Sequence, residues 1–204
     1  MTDDLSSTEA ETRASIAEMA KESFARHELT VKADREWLCK RPGEWAYSFF
    51  VIARPGVLIV YGDLGEYVLR MHNEDPITWL DGAVGSPAYL FGKVAAVSRN
   101  DGSAKIWYWR DAQRYMRDAI ASYGGDGVHA AVVKAVTEDG DYGVTHDWFL
   151  ECCHEAGLDD MSTVGVGWAA GMWWLHQALS WFQAAEWAAH AQPAVDAAPT
   201  GSGT

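Results

Sequence analysis

Between residues 29 and 72 the chain alternates short runs rich in β-branched and aromatic residues with three turn signals: Arg41-Pro42-Gly43-Glu44, Arg54-Pro55-Gly56 and Gly62-Asp63-Leu64-Gly65. Proline fixes φ and lacks an amide hydrogen, and glycine tolerates positive φ, so each cluster stops a strand and reverses the chain. Consecutive strands joined by turns this tight pair antiparallel. An antiparallel β-meander of four to five strands over 27–72 is therefore expected. Within it Val57-Leu58-Ile59-Val60-Tyr61 is apolar on both faces, as a central strand is. Glu66 to His72 partly alternates and sets Tyr67, Leu69 and Met71 on one side, which demands a cover for that side.

The cover is expected from helices. Ser6-Ser7-Thr8-Glu9 has the form of a capping box, and the Ala- and Glu-rich run to Phe24 favours a helix. After the meander, Asp75-Pro76 starts a short helix. Ala104–Tyr123, Asp126–Val136, Thr145–Ala156 and Asp159 to about His190 read as helices from their periodicity. The last carries Val164, Trp168, Met172, Leu175, Leu179 and Phe182 at three- and four-residue spacing, a stripe that belongs in a core. The fold class is α+β: an N-terminal helix and a meander packed against a helical C-terminal half. One domain spans 1–192, with the meander at 27–72 and the helical part at 75–190. Residues 193–204 are small and polar and read as a disordered tail.

Met161–Ala185 contains no Asp, Glu, Lys or Arg and includes a Gly167-x-x-x-Gly171 spacing, so it passes the length test for a membrane span. His176, Gln177, Ser180 and Gln183 interrupt it and no Lys or Arg flanks it, which favours a buried helix, with self-association or membrane contact as the lesser alternative. The acidic start Met1-Thr2-Asp3-Asp4 lacks the pattern of a secretory signal, and Cys39, Cys152 and Cys153 are too few for a paired disulfide framework. A cytoplasmic protein is expected.

Charge separates along the chain. The 204 residues have a net charge of −13, which argues against direct nucleic-acid binding. Beyond Lys134 no Lys or Arg occurs, so the C-terminal third holds −10 of that total. Glu138, Asp139, Asp141, Asp147, Glu151, Glu155, Asp159 and Asp160 concentrate it in a short stretch. On a helix Asp147, Glu151 and Glu155 share one face. Such a surface either solvates the protein or docks a basic partner, whose approach complementary fields steer.

Reaction motifs do not complete. Asp139-Gly140-Asp141-Tyr142-Gly143 begins like a calcium loop, but Gly143 supplies no side-chain oxygen and the twelfth position is Leu150. Gly92-Lys93-Val94 lacks the hydroxyl and glycine spacing of a phosphate loop. Cys152-Cys153-His154, flanked by Glu151 and Glu155, is the densest set of ligand types, yet neighbours on a helix point about 100° apart and cannot converge. No cofactor or metal is expected. His27, His72 and His129 read as surface or capping histidines. Asp63, Glu66 and Tyr67, on the glycine turn, form an alternative ligand site; the plainer role for Asp63 is a hydrogen bond within its own turn.

His27-Glu28-Leu29-Thr30-Val31, Trp45-Ala46-Tyr47-Ser48-Phe49 and Pro55-Gly56-Val57 through Tyr67-Val68 resemble an uncharacterised family of bacteriophage and prophage accessory proteins. The likeness covers about residues 25–72, and Trp168–Trp187 loosely. The chain departs from the family's pattern at Leu69-Arg70 and only approximates its next block at Asp75-Pro76-Ile77-Thr78-Trp79. No reaction or catalytic residue comes with the family. The resemblance implies a phage protein acting inside a bacterial cell, and anti-CRISPR proteins are the example of acidic phage products that occupy a nucleic-acid-binding surface. The expectation is a non-enzymatic inhibitor that binds a basic host protein or ribonucleoprotein complex through its acidic surface. The alternative is a small enzyme or nucleotide-binding protein with its site near Gly62–Tyr67.

Overall fold

The computed structural model describes residues 8–72, 75–98, 104–123, 145–155, 158 and 161–191. The architecture is α+β: an N-terminal helix, an antiparallel six-stranded meander, then helices in the C-terminal half. The chain divides into two compact units, each drawn from two stretches of sequence, Met1–Met19 with Arg99–Trp174 and Ala20–Ser98 with Leu175–Thr204.

Helix α1 spans Glu9–Phe24. Its capping box is Thr8 with Glu11, two residues later than the expected Ser6 to Glu9. Thr8 Oγ1 accepts the Glu11 amide at 3.1 Å, and Glu11 Oε2 accepts the Thr8 amide at 2.8 Å. The pattern of a hydroxyl followed three residues on by glutamate recurs at Thr8 and Glu11, and that copy is closed by hydrogen bonds. The hydrogen bonds from Thr8, with Arg110 and Arg114 nearby, hold the Glu11 carboxyl below its ordinary value. Ser6 and Ser7 lie outside the described residues.

In the second unit the strands are β1 Glu28–Ala33, β2 Glu36–Lys40, β3 Phe49–Arg54, β4 Val57–Gly62, β5 Gly65–Arg70 and β6 Val94–Ser98, paired in that order. The expected turns fall between the expected strands. The register sets Phe49, Val51 and Ala53 beside Gly62, Val60 and Leu58, and Val60 and Leu58 beside Tyr67 and Leu69. All of these apolar side chains are buried, so one face is a continuous apolar layer. The end of α1 and helix α6, Ala170–Ala191, supply its cover in this unit. Phe24 and Trp181 both lie edge-on to Phe49, at 5.9 and 6.1 Å, and Phe182 meets Trp37 at 5.2 Å. On the opposite face Phe50 stacks on Tyr61 at 4.8 Å while Ile52, Ile59 and Val68 are half-buried.

Two short helices follow the meander, α2 Pro76–Ala83 and α3 Pro87–Phe91. Asp75 caps α2, accepting from the Thr78 amide and hydroxyl, and it also pairs with Arg35. Burial works against the Asp75 carboxylate, but the hydrogen bonds from Arg35 and Thr78 outweigh it and lower its pKa. Asp81 ties α2 to α6 by accepting from Trp187 Nε1 at 2.8 Å and Gln183 Nε2 at 3.2 Å.

The first unit contains α4 Trp109–Tyr123, α5 His146–Glu155 and a second sheet of β7 Lys105–Trp107 with β8 Val166–Trp168. Three expectations of helix are corrected here: β6 interrupts the helical part, residues 105–107 are a strand, and 161–169 form turns and a strand before α6 begins. The reason in the last case is Gly165, whose φ of +76° leaves the helical region. Val164 and Trp168 thus fall outside the helical stripe, whereas Met172, Leu175, Leu179 and Phe182 keep their buried places in α6. Trp107, Trp109, Ala112, Met116, Phe149 and Cys153 form this unit's core. Among the described residues no helix is long and apolar enough to cross a membrane. The expected helix at 126–136 and the tail at 193–204 lie outside the described residues.

The one-sided burial predicts unequal costs of truncation. Phe182→Ala, under the sheet, should cost about 3–5 kcal/mol. Ile59→Ala, on the half-buried face, should cost well under half of that. Urea titration of each variant checks this, and equal losses would contradict a single covered face.

Candidate functional site

A cleft of the first unit is built around Glu9. Its amide belongs to the first turn of α1, where backbone donors have no helical acceptor, and it donates to Asp111 Oδ2 of α4 at 2.9 Å. Its carboxylate crosses to β8, where Oε1 accepts the Trp168 amide at 3.1 Å. Asp111 Oδ1 in turn accepts from Arg114 Nη2 at 2.6 Å. Gly167 permits this approach: a Cβ there would stand 2.5 Å from Glu9 Oε2 and 2.9 Å from the Tyr108 ring. Tyr108 completes the frame, donating its hydroxyl to Trp168 O at 2.7 Å and its amide to Gly165 O at 2.7 Å.

Around this bracket lies a cavity of about 440 Å³ lined by Glu9, Ala10, Arg13, Asp111, Gly165, Val166, Gly167 and Trp173. Arg13 lays its guanidinium over the buried Trp173 ring, 4.9 Å from the centroid. The described lining holds no histidine, cysteine or hydroxyl, and each carboxylate already accepts a backbone amide. The cavity offers an aromatic wall and oriented acceptors, which are the parts of a binding cleft.

The acidic surface is described in part. Asp147 and Glu151 are exposed, one helical turn apart on α5. Thr145 Oγ1 caps this helix by accepting the Trp148 amide at 3.2 Å, while Phe149 and Cys153 anchor its inner side. Trp148, beside Asp147, is 36% exposed and lies edge-on to Trp109 at 6.3 Å. Glu138, Asp139, Asp141, Asp159, Asp160 and the Glu155 side chain lie outside the described residues.

The residues of the glycine turn have separate tasks. Asp63 Oδ2 accepts the Tyr47 amide at 2.7 Å, so it fastens a neighbouring loop instead of its own turn. That bond supports Tyr47 at a φ of +59°. Gly62, at +141°, could not carry a Cβ, which would stand 2.6 Å from Ser48 O. Tyr67 is buried and donates its hydroxyl to Leu64 O at 3.0 Å, whereas Glu66 is exposed on the other face of β5. The structure does not gather these three side chains around one space.

His27, expected as a surface or capping histidine, follows the end of α1 and is buried among Phe24, Phe49 and Trp181. Its Nε2 lies 3.1 Å from Tyr47 O. It borders a cavity of about 490 Å³ with Arg26, Glu28, Arg41, Pro42 and Glu44. Arg41 is engaged, donating to Glu22 O at 2.7 Å and Ser23 O at 3.1 Å where α1 ends. Burial lowers the His27 pKa, against the opposing pull of the Tyr47 carbonyl. The cysteine cluster diverges as its spacing requires: Cys153 is buried with its pKa raised by burial, Cys152 is half-buried and His154 is exposed. Burial also raises the Cys39 thiol. Among the described residues no group of three or more His, Cys, Asp or Glu side chains could hold a metal ion. His129 lies outside the described residues.

Sequence reasoning missed Glu9, Arg13, Asp111 and Trp173 as a group. The available signal was Gly165-Val166-Gly167, a glycine pair inside a run of otherwise helical spacing. Compared with family models, curated proteins and solved structures, the chain matches none.

Two outcomes follow from this geometry. Gly167→Ala should destabilise by about 1–3 kcal/mol through collision with Glu9, and Glu9→Ala made in the same background should recover part of the loss. Purely additive losses in thermal unfolding would disprove the collision. For His27 the folded pKa lies below histidine's ordinary 6.5, so the unfolded chain binds the extra proton. Stability should be full above pH 6.5 and fall as the pH drops from there through the lowered folded pKa. His27→Gln, which keeps a donor for Tyr47 O, should flatten that part of the urea-midpoint profile; an unchanged slope would reject the assignment.

Proposed function

We propose that this chain is a binding protein that docks a basic surface of a host protein or ribonucleoprotein complex through its acidic C-terminal third, as a phage accessory protein that blocks a defence complex would. The observation that carries the reading is α5. It presents Asp147 and Glu151 to solvent with the Trp148 ring partly exposed beside them, on a helix anchored by Phe149 and Cys153. Carboxylates steer a basic partner and fix its register, and an aromatic side chain on a rigid helix supplies the buried contact that charge alone does not. The absence of Lys and Arg after Lys134 leaves these charges uncompensated within that part of the sequence. The phage origin and the inhibitory role rest on the resemblance of residues 25–72 and on argument by class.

A second reading, a small-ligand protein, is favoured by the cavity at Glu9, Arg13, Asp111 and Trp173, with its aromatic wall and oriented acceptors. It predicts saturable changes in Trp173 fluorescence with a ligand rich in hydrogen-bond donors.

Purification of the tagged protein from a bacterial lysate at low and high salt tests the first reading. A stoichiometric partner should be retained at low salt and lost at high salt. Against that partner, Asp147→Lys with Glu151→Lys should weaken affinity at least tenfold at low salt, and Trp148→Ala about tenfold at any salt. Affinity unchanged by all three substitutions would end the proposal.

A further inference from the structure

The meander begins at an exposed edge. β1 is the terminal strand of the six-stranded sheet, with β2 on one side and no strand on the other among the described residues. Five of its six residues are exposed, and Val31, at 68%, is the most exposed large apolar side chain among the described residues. An unpaired edge carries a row of backbone donors and acceptors ready to extend the ladder. Its side chains decide which strand can use them.

We propose that two copies of the chain associate by antiparallel pairing of β1 with β1, in the register that places Glu28 opposite Lys32, Leu29 opposite Val31 and Thr30 opposite its own symmetry mate. A two-fold axis through Thr30 makes the contact isologous, so the Glu28 to Lys32 pair is formed twice. Directly opposed unlike charges and Thr–Thr pairs each favour a cross-strand contact, and Leu29 against Val31 removes apolar surface from water. Neighbouring registers fail on the same residues. A shift of one residue opposes Glu28 to Val31 or to Ala33, and a shift of two opposes Glu28 to Thr30 or to Asp34. Neither Glu28 nor Lys32 has an ion-pair partner among the described residues. The β1–β2 register shifts between Val31 and Ala33, so Lys32 has no partner in the β2 ladder. A bulge and a lysine at an edge deter indiscriminate pairing, and here they leave one register in which the charges agree. In this register five residues of each strand, 28–32, face one another, which is a small interface, so the dimer depends on concentration.

Sedimentation equilibrium of the full chain across a wide concentration range, at low salt, tests this. The mass should rise from one chain to two. Glu28→Lys and Lys32→Glu should each weaken association about tenfold, because two attractive pairs become two repulsive ones. An equimolar mixture of the two variants should associate as the unmodified protein does, since the lysine introduced in one variant then faces the glutamate introduced in the other across the axis. Circular dichroism monitors folding, and the mixture reports on pairing even where one variant is less stable. A chain that stays monomeric throughout, a dimer indifferent to both charge reversals, or single variants that the mixture does not rescue would each overturn the proposal.

Discussion

Phe49 sits where the meander meets its cover, edge-on to Phe24 from α1 and to Trp181 from α6. That junction fixes more than one contact. Side chains alternate along a strand with a period of two, so holding Phe49 inward also sends Val51 and Ala53 inward. Through the pairing of β3 with β4 and of β4 with β5, the same choice turns in Leu58, Val60, Tyr67 and Leu69. A slip of one residue would expose that whole set. Part of the aromatic content of α6 is explained at this level: Trp181 and Phe182 pack edge-on against Phe49 and Trp37 of the sheet.

The meander was legible because its information is local. Proline and glycine at 42–43, 55–56 and 62–65 reverse the chain wherever they stand. The short strands were not legible. Lys105–Trp107 and Val166–Trp168 have three residues each and exist because they pair with one another about sixty positions apart. Val164 and Trp168 fitted the helical spacing of the run that follows, and only the glycines at 165 and 167 pointed the other way. Glu9 shows the same division. Its place at the start of α1 could be read from the cap, but its partners Asp111 and Trp168 stand 102 and 159 positions away. For the acidic surface the sequence showed the charges and their shared helix face, and the structure adds that Asp147 and Glu151 are exposed on a helix whose Phe149 and Cys153 are buried.

Both units use polar groups to hold backbone in unusual places. In the first, the Glu9 carboxylate secures a strand that two glycines let come close. In the second, Asp63 secures the Tyr47 amide while His27 lies against the Tyr47 carbonyl, so one loop residue is held through both its amide and its carbonyl. Such brackets order the backbone that carries exposed side chains, and order in the unbound state lowers the entropy lost on binding. The same reasoning applies to α5, where the Thr145 cap and the buried Phe149 and Cys153 hold the helix that carries Trp148.

The interleaving of the two units has a consequence for how the protein is made. The six strands lie in the first half of the chain, yet the apolar layer they form is covered by α6. A ribosome adding about 5–20 residues per second completes β5 several seconds before the segment from Leu175 onward emerges, roughly a hundred residues later. Throughout that interval the nascent meander has the end of α1, but not α6, to cover its apolar face. The apolar face of the sheet is therefore closed only late in synthesis, once the segment from Leu175 onward has been made.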